Sequence, residues 1–472
     1  MKLQPTKILY TAIFFGASLM VTSCANKPVK ILGDAYLTKY DESAKLEHST
    51  LIALDTTAAD LPVININPEK KYQSMDGFGY TLTGGSAMLL HKMSKAARAK
   101  ILQELFGTEK NDLGISYLRL SIGASDLDEA PFSYDDMPAG EIDPGLEHFS
   151  LAHDTLDVVP MLQEILAINP HIKILGSPWS PPVWMKDNGD TRGGSLLPQY
   201  HQAYADYFVK YIKAMQEEGI VIDAVTIQNE PLHPGNNPSL LMLSGQQGKF
   251  IKENLGPTFN KEGIETKIIL YDHNADRPDY PISILNDAET AKYVDGSAFH
   301  LYGGSIDAIR GVHEAHPEKN LYFTEQWVGA PGDFAKEMSW HTENLIIGAP
   351  RNWCKTVLEW NLAADENQDP HTDRGGCDRC LGAITISGDE VTRNPAYYII
   401  GQASRFVRPG SIRIASNNIK DLPNVAYQAP SGEVVAIVQN KNDREAYFKI
   451  NQDGEEHVFS IPAKAVKTFV LR

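Results

Sequence analysis

The chain has 472 residues, 42% hydrophobic and 22% charged, which is ordinary for a globular protein and sufficient for one large domain with a smaller companion. It carries 60 Asp and Glu against 43 Lys and Arg, so its formal net charge is −17. A fold this acidic repels nucleic acid and anionic membranes, so no nucleic-acid partner is expected and a neutral substrate is favoured. The sequence also lacks the fixed-period repeats of a solenoid or a propeller.

The N-terminus has the pattern of an export signal. Lys2 and Lys7 precede an apolar run over residues 8–21, and small residues connect this run to Cys24. The run is too short to span a bilayer comfortably, so it predicts a signal peptide over residues 1–23. The Val-Thr-Ser-Cys ending at Cys24 resembles the lipobox of bacterial lipoproteins, which predicts lipidation of Cys24 and an anchor in the bacterial outer membrane. An unlipidated secreted form is the alternative.

Three cysteines remain after Cys24. In an oxidising compartment Cys377 and Cys380 are expected to form a disulfide that closes a Gly-Gly-Cys-Asp-Arg-Cys loop. A zinc site needs about four ligands and there is no second cysteine pair, so no metal and no cofactor are expected. Cys354 is predicted to be a buried free thiol.

From residue 76 onward, short apolar runs alternate with longer segments of helical periodicity, such as residues 200–218. The runs cover residues 77–82, 116–122, 172–178, 224–229, 267–271, 297–302, 321–325 and 356–361. Eight strands, each followed by a helix or a helix-bearing loop, predict an α/β fold, a (β/α)8 barrel over residues 76–400. A doubly wound open sheet is the alternative, but the sequence has no Gly-x-Gly-x-x-Gly after an early strand.

Both ends of the chain have strand patterns of a different kind. Apolar or alternating runs occupy residues 63–66, 434–438, 447–450, 458–461 and 467–471, with a turn at 452–454. We therefore predict an all-β side domain to which residues 24–75 and 401–472 both contribute.

The ends of the barrel strands carry the residues with chemical potential, and active sites of such barrels lie at the C-terminal ends of the strands. The ends of strands two, three, four, six, seven and eight supply a cation, three carboxylates, a histidine, a tyrosine, amides and tryptophans, namely Arg119, Asp126, Trp179, Asn229, Glu230, His300, Tyr302, Glu325, Trp327, Trp360 and Asn361.

Glu230 and Glu325 are the sharpest candidates. Glu230 precedes Pro231, which disfavours the helical region and predicts an extended residue at the strand mouth. Glu325 ends the seventh run, and strands four and seven face each other across a barrel. Two carboxyl groups ~5 Å apart across a sugar are the arrangement of a retaining glycosidase, one acting as acid/base and one as nucleophile.

Tryptophans at the same rim favour a sugar pocket, because aromatic faces stack on the apolar faces of sugars. A single tryptophan is more often a core residue, but Trp179, Trp327 and Trp360 converge on one rim. Arg119 either keeps a nucleophilic carboxylate ionised or forms a structural ion pair with Asp126. His300 is either a core histidine or part of the site.

These motifs resemble glycoside hydrolase family 30, which includes glucosylceramidases and microbial β-1,6-glucanases. The resemblance runs from about residue 76 to the end and is carried by Asp-Gly-Phe-Gly from Asp76, the Trp-rich segment 176–184, Asn229-Glu-Pro, Thr-Glu325 and Glu-Trp360-Asn. It implies a β-sandwich side domain built from both termini.

The resemblance also implies roles for individual residues. It makes Glu230 the acid/base and Glu325 the nucleophile. It makes Asn229 a ligand of the sugar 2-hydroxyl, and Asp126, Trp179 and Trp360 ligands of the terminal sugar. The remaining residues would support the nucleophile and line the pocket, namely Arg119, His300 and Tyr302.

Two features around the expected substrate mouth favour an endo-acting β-1,6-glucanase. Leu301 stands where the human lysosomal enzyme has an aromatic residue, and the loop with Cys377 and Cys380 is similar to one in the β-1,6-glucanase branch. A glucosylceramidase or general β-glucosidase is the alternative within this class. A sugar-binding protein without catalysis is the alternative outside it, although both glutamates are present.

Overall fold

A computed structural model describes residues 1–4, 31–55, 60–109 and 111–472. The strands are β1 Ile31–Lys39, β2 Glu47–Ile52, β3 Val63–Ser74, β4 Gly77–Thr81, β5 Tyr117–Ile122, β6 Lys173–Pro178, β7 Ala224–Thr226, β8 Lys267–Asn274, β9 Val294–His300, β10 Asn320–Glu325, β11 Val328–Gly329, β12 Cys354–Asn361, β13 Ala363–Ala364, β14 Cys380–Leu381, β15 Ile384–Ser387, β16 Glu390–Arg393, β17 Ile412–Ser416, β18 Asn424–Gln428, β19 Val434–Asn440, β20 Ala446–Gln452, β21 Glu455–Ile461 and β22 Ala465–Leu471. The α-helices are α1 Gly84–Lys92, α2 Lys95–Phe106, α3 Val158–Ile168, α4 His201–Glu217, α5 Ser244–Phe250, α6 Gly256–Glu262, α7 Asp279–Leu285, α8 Ala288–Ala291, α9 Arg310–Ala315, α10 Phe334–His341, α11 Ala349–Arg351 and α12 Pro395–Ser404.

Eight parallel strands close into a barrel in the order β4-β5-β6-β7-β8-β9-β10-β12, with β12 pairing back to β4. This confirms the (β/α)8 prediction and excludes the open doubly wound sheet. Each of the eight predicted runs overlaps one barrel strand. The largest overshoot is in the fourth run, because β7 ends at Thr226 and the next residues leave the strand to contact β6 and its loop.

Side chains on the barrel strands alternate between the barrel interior and the helical layer. On β5, Leu118 and Leu120 belong to the large core beneath the helices, whereas Tyr117 belongs to a separate cluster with residues of the other strands. Arg119 shares the inward side with Tyr117, since side chains two positions apart on a strand share a face. The closed sheet therefore brings inward side chains from different strands to one mouth.

The predicted helix over residues 200–218 is present as α4, His201–Glu217. Its buried side chains include Tyr204, Phe208, Tyr211 and Met215, which recur at helical spacing and pack against the barrel. Within the described residues, no helix has both the length and the apolar character needed to cross a bilayer.

Both ends of the chain contribute to the side domain, as the strand patterns predict. Its nine strands follow the order β2-β1-β22-β19-β18-β17-β3-β20-β21, so β1 pairs with β22 and β3 pairs with β17 and β20. The predicted turn at 452–454 joins β20 to β21. Buried hydrogen bonds from Gln402 on α12 to Thr38 and from Thr468 to Gln402 tie this sheet to the barrel. The residue limits assigned to the domains stay predictions.

The cysteine and export predictions have different outcomes. Cys377 and Cys380 are joined in a disulfide, and Cys354 is free and buried, as expected. The cleavage and lipidation predictions concern residues 1–24. Cys24 lies outside the described residues.

Candidate active site

Glu325 and Glu230 meet at the C-terminal mouth of the barrel. Glu325 is the last residue of β10 and Glu230 follows β7 by four residues; both are buried. A carboxylate oxygen of each and a ring nitrogen of His300 all lie within 4.8 Å of one another. They border a cavity of about 130 Å³, which is lined by Asp126, Trp179, Asn229, Glu230, Asn236, Tyr302, Glu325, Trp327, Trp360, Cys377 and Cys380.

The backbone of Glu230 differs from the sequence expectation. The prediction that Pro231 holds it extended is wrong, because its φ is +44°, in the left-handed region. The backbone N–H of Glu230 donates to the carbonyl of Asp272 at 3.0 Å, and this bond to a neighbouring strand outweighs the local preference. Non-glycine residues with positive φ are uncommon and concentrate at functional sites. The strained backbone of Glu230 is thus part of what places its carboxylate at the mouth.

Arg119 is the buried centre of the site. Its Nη1 donates to Glu325 at 2.5 Å, its Nη2 donates to Asn229 and Asp272 at 2.7 Å each, and its Nε donates to Ser177 at 3.1 Å. Burial opposes the charge, but Asp272 and Glu325 together raise the pKa of Arg119. The alternative of an ion pair with Asp126 is wrong: Arg119 pairs with Asp272 and Glu325.

Asp272 was missed by the sequence analysis. It follows Tyr271 on β8, and both residues have positive φ, 65° and 71°. Its carboxylate accepts five hydrogen bonds, from Arg119, Ser177, Thr226, His300 and Thr324. Burial favours the neutral acid, but Arg119 and His300 hold the pKa of Asp272 far below its usual range. The sequence signal that could have identified Asp272 is a carboxylate directly after the apolar run 267–271 of the fifth barrel strand.

Two histidines flank Glu230 and differ in charge. His300 Nε2 lies 3.0 Å from Asp272 and its Nδ1 lies 3.1 Å from Glu230, so the ring bridges two carboxylates. Burial disfavours the imidazolium, but Glu325, Asp272 and Glu230 raise the pKa of His300 to about 9. His273 lies 3.8 Å from Glu230, and burial lowers its pKa to about 4. At neutral pH His300 is charged and His273 is neutral.

The two glutamates therefore have unlike surroundings. Glu325 accepts from Arg119 on one oxygen and from the Tyr302 hydroxyl at 2.9 Å on the other. Burial and the nearby Glu230 raise the pKa of Glu325, although His300 and Arg119 oppose the rise. Burial also favours the neutral form of Glu230, but charged His300 outweighs it and holds the pKa of Glu230 below its usual range.

The pocket floor combines aromatic faces with oriented polar groups. Trp179 and Trp360 stack with ring centroids 5.3 Å apart. The oxygen of the Asn229 amide accepts from Arg119, which leaves the amide N–H groups available to the cavity that Asn229 lines. Burial and then the charges of Glu325 and Glu230 raise the pKa of Asp126 to about 8, so Asp126 is a neutral acid at neutral pH.

Of the two features expected at the substrate mouth, the cysteine loop lies there and Leu301 does not. Cys377 and Cys380 line the cavity and pack against Trp360. The expectation that Leu301 lies at the mouth is wrong: it is 6% exposed and belongs to the hydrophobic core. Its neighbours Tyr302 and His300 turn toward the glutamates, so Leu301 turns away from them. Asn236, which the sequence analysis did not select, lines the cavity instead.

The predicted site residues thus come together. Those that border the cavity directly are Asp126, Trp179, Asn229, Glu230, Tyr302, Glu325, Trp327 and Trp360. Arg119 and His300 lie behind them and bond to the glutamates. Asn361 accepts from Ser86 on α1 and from Thr83, which precedes that helix.

Comparisons with known proteins agree with this geometry. Residues 75–407 match the glycosyl hydrolase family 30 TIM-barrel domain, and residues 410–469 match the family 30 beta sandwich domain. An endo-1,6-beta-D-glucanase of Neurospora crassa is 33% identical over 428 residues, covering 86% of this chain and 87% of that protein. The lysosomal acid glucosylceramidase of Mus musculus is 27% identical over 498 residues, covering 97% and 94%.

A solved structure of an endo-beta1,6-glucanase superimposes with a TM-score of 0.85 at 35% identity, covering 92% of this chain and 98% of that one. The family match extends over the barrel that carries the two glutamates and over the side sheet. The chain belongs to glycosyl hydrolase family 30.

Proposed function

We propose that this protein is a retaining, endo-acting β-1,6-glucanase with Glu325 as nucleophile and Glu230 as acid/base. The observation that carries the proposal is the placement of two buried carboxylates within 4.8 Å of each other, with unlike partners. That spacing corresponds to the ~5 Å separation of retaining enzymes and leaves no room for the water that an inverting enzyme needs between its carboxyl groups.

Arg119 and Tyr302 prepare Glu325 for attack. Both donate to its carboxylate, which fixes the side chain and stabilises its charge. In the first step a Glu325 oxygen bonds to the anomeric carbon, and the bond to the leaving O6 of the next glucosyl unit breaks. The product is a covalent glycosyl-enzyme, and the aromatic floor holds the sugar through both steps.

His300 and Glu230 together supply the proton that the leaving oxygen takes. The pair holds one proton across a 3.1 Å contact, and its transfer to Glu230 makes Glu230 the acid. In the second step Glu230 removes a proton from water as that water attacks the anomeric carbon, and Glu325 leaves. The Asn229 amide, turned into the cavity by Arg119, donates to the sugar 2-hydroxyl.

The β-1,6-glucan assignment is supported by the relatives and by the mouth of the pocket. The endo-1,6-glucanases are the more identical relatives, at 33% against 27% for the glucosylceramidase. The mouth is walled by the disulfide of Cys377 and Cys380, by Asn236 and by Trp327, a polar and aromatic surface suited to a sugar. A β-glucan is therefore the proposed substrate, and glucosylceramide hydrolysis is the second candidate.

We also propose that the protein is exported and anchored by lipid at Cys24. The positive head and short apolar run of residues 2–21 support export, and so does the disulfide of Cys377 and Cys380, since disulfides persist in oxidising compartments. A polymeric glucan is met outside the cytoplasm, where a surface-anchored enzyme reaches it.

Azide should distinguish the two glutamates by the configuration of the product. With Glu230→Ala and an activated aryl β-glucoside, azide attacks the glycosyl-enzyme and yields the β-glucosyl azide. With Glu325→Ala, azide replaces the nucleophile in a single displacement and yields the α-glucosyl azide. NMR of the products checks both. If Glu230→Ala gives the α-azide and Glu325→Ala the β-azide, the two roles are reversed. If both variants fold but stay inactive with azide, neither glutamate has the proposed role.

The pH dependence of kcat/KM should be bell-shaped. Activity falls as acid protonates Glu325, whose pKa is raised, and falls in alkali as the pair of His300 and Glu230 loses its proton near the His300 pKa of about 9. In His300→Asn the alkaline limb should move to lower pH, because Glu230 then holds the proton without the imidazole. His273→Asn is the matched control, since His273 is already neutral and its loss should leave that limb in place. An unmoved limb in His300→Asn contradicts the shared proton.

The substrate preference should favour the glucan. We expect kcat/KM for a pustulan-type β-1,6-glucan to exceed that for glucosylceramide in mixed micelles by about a hundredfold, or ~2.7 kcal/mol of differential transition-state binding. Laminarin, a β-1,3-linked glucan, controls for cleavage of any glucan. A preference for the lipid would make the protein a glucosylceramidase and leave the roles of the glutamates unchanged.

Anchoring should depend on one side chain. The wild-type protein should fractionate with membranes and enter detergent, because lipoprotein-type lipidation supplies more than one acyl chain. Cys24→Ser should appear in the soluble fraction, with Cys354→Ser as the control for loss of a thiol elsewhere. Cys24→Ser that stays with the membrane would show that the anchor is not at this residue.

A further inference from the structure

A second cavity lies beside the active site, with Trp327 on the border of both. Its volume is about 360 Å³, against about 130 Å³ for the pocket at the glutamates. The indole of Trp327, two residues after Glu325, therefore has a place in the wall of each space. The two cavities are therefore neighbours at Trp327.

The lining of the second cavity has the character of a sugar-binding surface. Trp340 on α10 is 39% exposed, unusual for so large an apolar side chain, and the half-buried Trp327 lines the same cavity. Gln326 also borders the cavity. It is only 7% exposed, and its amide oxygen has no hydrogen-bond partner in the part of the chain that the structure describes. A buried amide oxygen without a partner costs free energy, and rotation of the amide toward the cavity that Gln326 lines would let a ligand hydroxyl bond to it.

The charges around the cavity favour a neutral ligand. Arg379 brings a positive charge and Glu337 a negative one. His341 lies between Glu337 and Glu359, at 3.1 and 2.7 Å, and these carboxylates raise its pKa to about 9 against the effect of burial, so it is a cation paired with anions. An anionic or cationic ligand would find no excess of the opposite sign, whereas hydroxyl groups can use both kinds of partner.

The disulfide loop forms a common wall between the two cavities. Cys377 and Cys380 line the active-site pocket, while Arg379, between them in sequence, lines the second cavity. Pairing of β14 with β11 holds the loop in place, and the Arg379 guanidinium donates to the Ala330 carbonyl at 3.0 Å. One short loop thus positions groups on both sides of Trp327.

We propose that this second cavity is a glucan-binding cleft that takes glucosyl units of the same chain whose scissile bond lies between Glu230 and Glu325. The inference rests on the proposed function, which it extends from one sugar pocket to a longer chain. Trp340 supplies the stacking face, Gln326 accepts from a hydroxyl, and Arg379 and Glu337 contact hydroxyls from opposite sides.

The test compares a long substrate with a short one. For each protein we take the ratio of kcat/KM on long β-1,6-glucan to kcat/KM on an aryl β-glucoside, which does not reach the second cavity. Trp340→Ala should lower this ratio about fivefold, equivalent to ~1 kcal/mol. Tyr447→Ala removes a similarly exposed ring, 45%, from β20 of the side domain and should leave the ratio unchanged.

A binding measurement separates the cleft from the active site. The wild-type protein, inactivated by a 2-fluoro glucoside, should still bind β-1,6-gluco-oligosaccharides in calorimetry, and inactivated Trp340→Ala should bind them at least about fivefold more weakly. If the wild type cleaves the glucan while the ratio and the binding are insensitive to Trp340, the cleft is refuted and the proposed function stands. If the wild type does not cleave the glucan, the proposed function fails and the cleft with it.

Discussion

The buried guanidinium of Arg119 is the constraint on which the site depends. A cation taken out of water is costly unless it is paired and hydrogen-bonded. Here four hydrogen bonds reach oxygens of four residues, namely Glu325, Asn229, Asp272 and Ser177. Each partner comes from a different barrel strand or its end, so the ion pair needs the barrel to close before it can form. In return it orients the nucleophilic carboxylate and the amide that meets the sugar.

Asp272 extends this network to the other glutamate. Because it accepts five hydrogen bonds it stays ionised, and an ionised Asp272 keeps the far nitrogen of His300 protonated. The near nitrogen then faces Glu230 with a proton to give. Arg119 and His300 share Asp272, but Arg119 donates to Glu325, whereas His300 is hydrogen-bonded to Glu230 and lies 3.6 Å from Glu325. This asymmetry is what allows two similar carboxylates, less than 5 Å apart, to take different roles.

The sequence was sufficient for the barrel, the shared side domain and the residues at the strand ends, because hydrophobic periodicity and strand-end position are local signals. The sequence was insufficient to predict the hydrogen bonds and ion pairs among these strand-end residues. Arg119 and Asp272 are 153 residues apart, and neither the pairing nor its exclusion of Asp126 is visible before the strands are in register. The rule for residues before proline failed at Glu230 for the same reason, since the bond from its N–H to Asp272 is long-range.

Chemistry and specificity occupy different parts of this mouth. The charged network uses inward side chains at strand ends, where closure of the sheet dictates position and a change at one residue disturbs several others. Leu301 is an example of how little room remains there, since alternation places it in the core between two site residues. Closure of the barrel does not fix the loop of Cys377 and Cys380. Pairing with β11 and the disulfide hold this loop from outside the barrel. Variation in what this family cleaves is therefore expected in such loops, where it leaves the proton and charge balance of Arg119 and His300 intact.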